Sequence, residues 1–301
     1  MTAKIKIIML GTGSHIPSVK KNHTAVLLCY EGENILVDCG EGTQRQFRYA
    51  KLNPCKITRL LITHWHGDHV LGIPGILQTL ALSDYRKTLF IYGPSGTKLL
   101  MRALLNLFNF KQKYKIKVEE VDKGKFVDEK NFYLESEKME HGISCNAYSF
   151  VKKGQVRIDK EKLKKAKLDQ GPHLSKLKQG KDIKYKSKKY LAKNLTYTEG
   201  DKKISIVMDT LDNKKIIPFV KGADLLICES SFNDAFKDKA REYHHSTAKQ
   251  VANNAKKANA KKLVLTHLSG RWDKNPQKIL NEAKKVFKNS VLAKDLDVFG
   301  V

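Results

Sequence analysis

Acidic residues are the scarcest commodity in this chain. Only 31 Asp and Glu stand against 57 Lys and Arg, a formal charge of +26 over 301 residues. That excess favours a polyanionic partner, nucleic acid before an anionic membrane, because no basic amphipathic stretch carries exposed aromatics. No apolar run approaches the roughly 18 residues that a membrane-spanning helix needs, which excludes a helical span. Met1 to Ile7 alternates charge with apolar residues and reads as a strand, not as a secretion leader. Five cysteines at irregular spacings (Cys29, Cys39, Cys55, Cys145, Cys228) form no disulfide framework, and most sit in strand-like runs as expected of buried thiols in a reducing cytoplasm. What is present in quantity is apolar sequence, 41% of the chain, enough to bury a core and exclude wholesale disorder.

The basic excess is uneven. Residues 151–195 hold 16 Lys and Arg and 4 Asp and Glu, net +12, in a stretch poor in large apolar residues. Only a brief helical pattern, 160–168, and a turn signal at Gly171-Pro172 interrupt it. It reads either as a solvated linker or as an insertion that grips phosphates with lysine point charges. Outside it, apolar runs predict strands at 5–10, 24–30, 34–38, 59–63, 89–92, 132–139, 204–208, 225–228 and 262–266. Helical periodicity falls at 43–52, 74–82, 95–108, 247–258 and 276–287. Strands alternating with amphipathic helices predict layered α/β packing, sheets inside and helices outside.

The strand at 59–63 runs into His64-Trp65-His66-Gly67-Asp68-His69, three imidazoles and a carboxylate within six positions. Neutral imidazole and carboxylate are preferred ligands of zinc and its borderline neighbours. Gly67 lets the chain turn, so that His64 and His66 can converge on one ion while Asp68 and His69 face a second. Three further strands end in ligand-type residues: His141 after 132–139, Asp209 after 204–208 and His267 after 262–266. Alone, Asp209 also fits a helix N-cap, His267 a turn, and His245 the approach to a helix capped by Ser246.

These residues resemble the metallo-β-lactamase superfamily, whose HxHxDH signature matches His64, His66, Asp68 and His69. More narrowly, the chain is similar to the ribonuclease Z family along nearly its whole length. Leu10 to Ser14, Pro17 to Asn22, Asp38 to Gln44, Glu229-Ser230-Ser231-Phe232, His245-Ser246-Thr247 and Thr266 to Arg271 carry that likeness. Two departures are Met208 where the family has glycine before the Asp-Thr pair, and the segment around Lys20-Lys21-Asn22, which carries lysine where arginine is common. The resemblance implies a single αβ/βα sandwich domain over 1–301, four layers deep, with 151–195 as an inserted flexible exosite arm. It implies an endonuclease that removes the 3′ trailer of precursor tRNA with two zinc ions per subunit, although a mixed His/Asp set also suits manganese. His64, His66 and His141 would hold one ion, Asp68, His69 and His267 the other, and Asp209 would bridge. Asp68 would orient the attacking water, and His245, held by Glu229, would protonate the leaving oxygen. Gly171, Pro172, Lys176, Lys178 and Arg271 would contact RNA. His15, His23 and His173 receive no role, and His244 is structural. A cytoplasmic homodimer is expected on the same ground. The rivals are another hydrolase of the superfamily, either a glyoxalase II-like thioesterase or a small-molecule phosphodiesterase, and a non-catalytic RNA-binding protein.

Overall fold

The computed structural model describes residues 4–107 and 113–301; Met1 to Ala3 and Phe108, the expected end of one helix, lie outside them. Contacts divide the chain into two compact units. The larger comprises 1–127, 134–150 and 203–301, and the smaller comprises 128–133 and 151–202.

The larger unit contains two seven-stranded sheets. In chain order the first sheet takes β1 (Lys6–Gly11), β2 (Ala25–Tyr30), β3 (Glu33–Val37), β4 (Arg59–Leu61), β5 (Leu89–Gly93) and β6 (Ile116–Glu120). The second takes β7 (Gly124–Asp128), β8 (Phe132–Glu140) and β9 (Ser144–Lys152). Four short strands follow in the smaller unit: β10 (Val156–Ile158), β11 (Ile183–Tyr185), β12 (Lys188–Tyr190) and β13 (Thr196–Thr198). The second sheet then resumes with β14 (Lys202–Val207), β15 (Leu225–Glu229), β16 (Leu263–Thr266) and β17 (Ser290–Leu292), and β18 (Val298–Gly300) returns to the first. The spatial orders are β18-β1-β2-β3-β4-β5-β6 and β17-β16-β15-β14-β9-β8-β7.

In the first sheet β18, β1, β2 and β3 pair antiparallel. β3 to β6 run parallel, as do β14 to β17. Parallel strands are covered on both faces, which is why β15 and β16 read as unbroken apolar runs and are buried at every position. The helices Thr43–Tyr49 and Ile73–Leu82 cover the first sheet through Phe47, Ile76, Leu77 and Leu80, packed on Leu27, Leu36 and Leu60. The helices Ala248–Lys257 and Gln277–Val286 cover the second through Val251, Ala252, Ala255 and Ile279, packed on Leu226, Cys228 and Leu265. Between the sheets, Tyr30 meets Phe150 edge-on at 5.4 Å, and buried Tyr148 donates to the Ile62 carbonyl. The result is the expected αβ/βα sandwich. Its five cysteines are all free, and among the described residues no helix is long and apolar enough to cross a membrane.

Two differences from expectation have physical causes. β9 is nine residues long and almost wholly buried, yet it was not legible as a strand. Its interior includes Asn146 and Ser149, whose polarity breaks the apolar pattern; Asn146 Nδ2 donates to the Val121 carbonyl, its Oδ1 accepts no hydrogen bond, and Ser149 Oγ bonds to the Ser205 hydroxyl. The smaller unit likewise holds more than one short helix. Leu163, Leu168, Leu177, Ile183, Tyr190 and Leu195 form a core of their own. Helices Lys160–Lys165, Leu174–Lys178 and Ala192–Leu195 supply part of it. β11 and β12 pair as a hairpin whose turn residues Lys186 and Ser187 both take positive φ, 46° and 62°. Apolar residues spaced this widely among lysines give no window strong enough to show periodicity.

Candidate metal centre

Because β14, β15 and β16 are parallel, their C-terminal ends fall on one edge, and the residues there converge: Asp209, Glu229 and His267. β3 and β4 are parallel too, so Asp38 and the Thr63-His64 segment also end together. The turn after β4 becomes the short helix Gly67–Val70, which carries Asp68 and His69, both buried. His141 follows β8.

These seven expected ligands meet as two groups that share one member. His64, His66, His141 and Asp209 form one group, and Asp68, His69, Asp209 and His267 the other. In the first, His66 Nδ1 lies 3.1 Å from both His64 Nε2 and His141 Nε2. Asp209 Oδ2 is 3.7 Å from His64 Nε2 and 3.6 Å from His141 Nε2. In the second, His267 Nε2 lies 3.3 Å from both His69 Nε2 and Asp68 Oδ2, and His69 Nε2 lies 3.4 Å from that same oxygen. Asp209 reaches this group as well, with Oδ1 3.2 Å from His267 Nε2 and Oδ2 3.6 Å from His69 Nε2. Four ligands placed tetrahedrally about 2.0–2.1 Å from one ion stand roughly 3.3–3.4 Å apart. The spacing therefore fits a cation in each group, with Asp209 between them. Asp209 Oδ1 is buried and accepts no hydrogen bond, a cost that a cation would relieve.

The imidazoles are aimed by partners on their far nitrogens. His64 Nδ1 donates to Thr63 Oγ1 at 3.0 Å, and His69 Nδ1 donates to Asp38 Oδ2 at 2.7 Å. His141 Nδ1 donates to the His244 carbonyl at 2.9 Å, and His267 Nδ1 donates to Ser231 Oγ at 3.1 Å. Each bond fixes the tautomer and leaves the Nε2 lone pair facing inward. Asp38 itself accepts from Thr63 N and Thr63 Oγ1. Asp38, His244 and His267 hold φ near +57°, uncommon for non-glycine residues, so the local backbone is strained where the ligand shell is set.

The electrostatics match a site built for cations. Burial pushes the pKa values of His64, His66 and His141 down, keeping these imidazoles neutral as ligation requires. Burial works against ionisation of Asp68 and Asp209, but the surrounding imidazoles overcome it and hold both carboxyls below the usual range. Burial would also lower His69, yet Asp209 and Asp38 raise it.

Beside the ligands, Glu229 is fully buried at the end of β15. Both its oxygens face His245 Nδ1, at 3.0 and 3.1 Å. Burial pulls His245 down, but Glu229 and then Asp209 lift its pKa to about 9. Glu229 also accepts from Thr210 N and Ser231 Oγ, each at 2.8 Å. His245 is not merely a residue ahead of the helix: Thr247 is the N-cap, in a capping box with Gln250.

A cavity of about 520 Å³ opens on this centre, lined by ligands together with His245, Phe232, Tyr243, Ile16 and Arg271. Arg271 lies over the Phe232 and Phe236 rings, at 5.1 and 5.0 Å. His15, given no role from sequence, lines the same cavity, with Nδ1 3.6 Å from Asp68 Oδ1. His244, read as structural, serves through its carbonyl. Gly171, Pro172, Lys176 and Lys178 belong to the smaller unit, where both lysines are exposed. Asp38 and Ser231 lay within family-like segments but showed no sign of orienting ligands. Their partners are 31 and 36 residues away, so spacing in the chain carries no signal of it.

Comparison with known proteins finds relatives over nearly the whole chain. A family model described as Anti-Pycsar protein Apyc1 matches residues 5–284. The ribonuclease Z of Methanothermobacter thermautotrophicus is 38% identical over 293 residues, covering 97% of this chain and 95% of that one. The ribonuclease Z of Listeria welshimeri is 37% identical over 304 residues, covering 99% of each. The crystal structure of human tRNase Z, short form, superposes with a TM-score of 0.71 at 28% identity, covering 98% of both chains. The metallo-β-lactamase fold protein YhfI of Bacillus subtilis, at 19% identity, shares the fold with a TM-score of 0.73 and full coverage of both.

Proposed function

The chain belongs to the ribonuclease Z family and falls within the Apyc1 family model, and we propose that it is the endoribonuclease that cuts the 3′ trailer from precursor tRNA. The observation that carries this reading is the paired ligand set sharing Asp209, with a Glu229-held His245 at its side. His64, His66, His141 and Asp209 would hold one divalent ion, and Asp68, His69, Asp209 and His267 a second; zinc suits this donor set. Such ions, when bound, supply Lewis-acid polarisation of the phosphoryl oxygens and neutralise the charge of the displacement.

The residues of the chain divide the remaining work. Asp68 Oδ1 is the carboxylate oxygen not engaged with His267 and His69, and it orients the water and takes its proton. The water oxygen forms the new bond to phosphorus as the bond to the ribose 3′ oxygen breaks. With Nδ1 fixed on Glu229 and a proton retained at neutral pH, His245 delivers that proton from Nε2 to the departing oxygen. The products are a tRNA with a free 3′ hydroxyl and a trailer with a 5′ phosphate. The smaller unit, spanning the proposed arm 151–195, supplies the lysines that hold the tRNA backbone, and the active species is a homodimer in the cytoplasm.

Single-turnover cleavage of a precursor tRNA, with the cut site mapped, tests the reading. Wild type should cut at the 3′ side of the tRNA. Asp68→Ala and His245→Ala should each lose at least about a hundredfold in rate while precursor binding survives. Near wild-type cleavage by both variants would sink the assignment, and preference for a thioester over the precursor would favour the glyoxalase II-like rival.

A further inference from the structure

The floor of the cavity is polar, made of the ligand set and His245, but its wall is of another character. Phe232 and Tyr243 both line it, and their rings are parallel within 5°, with centroids 6.5 Å apart. Phe232 is only 5% exposed and is held from several directions. Arg271 lies over its ring, its carbonyl accepts from Ala248 N, and it bridges to Thr247. Tyr243, in contrast, is 56% exposed, and Ile16, which lines the same cavity, is 74% exposed. An aromatic ring left open beside a phosphodiester-cutting centre, with its plane aligned to a buried and braced neighbour, is a preorganised stacking surface. Of the hydroxyls lining the cavity, Ser231 Oγ donates to Glu229, and Ser269 Oγ accepts from Arg271 Nε. The wall thus offers π-faces more readily than groups that read base edges.

We propose that Tyr243, backed by Phe232, is a base-stacking subsite that takes the base of one of the two nucleotides flanking the scissile phosphate. The inference rests on the proposed RNA-cutting function and adds to it where the substrate's base goes. Stacking seats the flanking nucleotide so that its phosphate lies over the ligand floor. Because every base has a π-face, this subsite tolerates any base but not the lack of one.

The test uses the full-length, metal-loaded enzyme and precursor tRNAs that carry each natural base, or an abasic residue, at each of the two flanking positions. The wild type should cut the four natural bases with kcat/KM values within about threefold. At one of the positions the abasic residue should cost on the order of tenfold to a hundredfold, the scale of one base stacked on an aromatic side chain. The loss should fall mainly on KM, since stacking is made before the chemistry. In Tyr243→Ala the penalty for the abasic residue should vanish, and in Tyr243→Phe it should persist. Unchanged metal content in both variants shows that the ligand set is intact. Abasic substrates cut as well as natural ones, or a penalty that survives Tyr243→Ala, would overturn the subsite while leaving the proposed function standing. Failure of the wild type to cut any intact precursor would overturn both.

Discussion

Glu229 shows how much of the centre depends on a residue outside the two groups that share Asp209. Its carboxylate holds His245 directly, His267 through Ser231, and the Asp209-Thr210 turn through Thr210 N. Removing its charge while keeping its shape should separate orientation from electrostatics. Burial alone lowers the pKa of His245, and Glu229 is the first of the groups that raise it to about 9, above the roughly 6.5 of a free imidazole. A raised pKa means that the proton is held below that value and lost as pH rises through it. Glu229→Gln removes that charge while burial remains, so the alkaline limb of kcat/KM should move to lower pH. At neutral pH the rate should fall by about a hundredfold or more. Parallel pH–rate profiles check this, and an alkaline limb left in place would remove His245 from the role of proton donor. The grouping of these candidate ligands was legible in the sequence. His64 to His69 lie within one turn, and His141, Asp209 and His267 stand where apolar runs stop. Their supports were not: Asp38 meets His69, and Ser231 meets His267, only because separate strands end on one edge.

The helix Ala248–Lys257 joins its own stability to the position of His245. Thr247 Oγ1 accepts from Gln250 N, and Gln250 Oε1 accepts in return from Thr247 N, closing the capping box. Ser246 Oγ donates to the Thr210 carbonyl just ahead of it, so the cap and the Asp209 turn are tied through adjacent residues. Thr247→Ala should cost about 1 kcal/mol and lower Tm by roughly 2–4 °C, measured by denaturant and thermal unfolding. The loss of cleavage should exceed what this small destabilisation explains, because the segment entering the cap also carries His245. A variant that unfolds earlier yet cleaves normally would show that the capping box serves stability alone. Elements such as this one were legible because an apolar face and a buried parallel strand each leave a local pattern, although the cap is Thr247 and not the expected Ser246. β9 was not, since its buried Asn146 and Ser149 break the apolar pattern and find their partners, the Val121 carbonyl and the Ser205 hydroxyl, only once the chain has folded.

At the scale of the molecule, charge and chemistry are allotted to different parts of the chain. Residues 151–195 carry +12 of the formal +26, and all of them fall in the smaller unit with its own apolar core. The ligand set lies wholly in the larger unit. Composition revealed the concentration of charge but not that the segment folds, because its core residues are spread thinly among lysines. If the lysines of this unit hold phosphates, they should affect binding through released counterions and leave bond breaking alone. Lys176 and Lys178 are exposed on the helix Leu174–Lys178, so replacing both by alanine removes charge without disturbing Leu177 in the core. The slope of log K against log salt for precursor tRNA should flatten by about one for each lysine that contacts a phosphate. Hydrolysis of a small nitrophenyl phosphodiester, which reaches no such contact, should be unchanged. A slope equal to wild type would place phosphate binding elsewhere on the basic surface, whereas a fall in small-diester hydrolysis would mean that the two parts of the chain do not act separately.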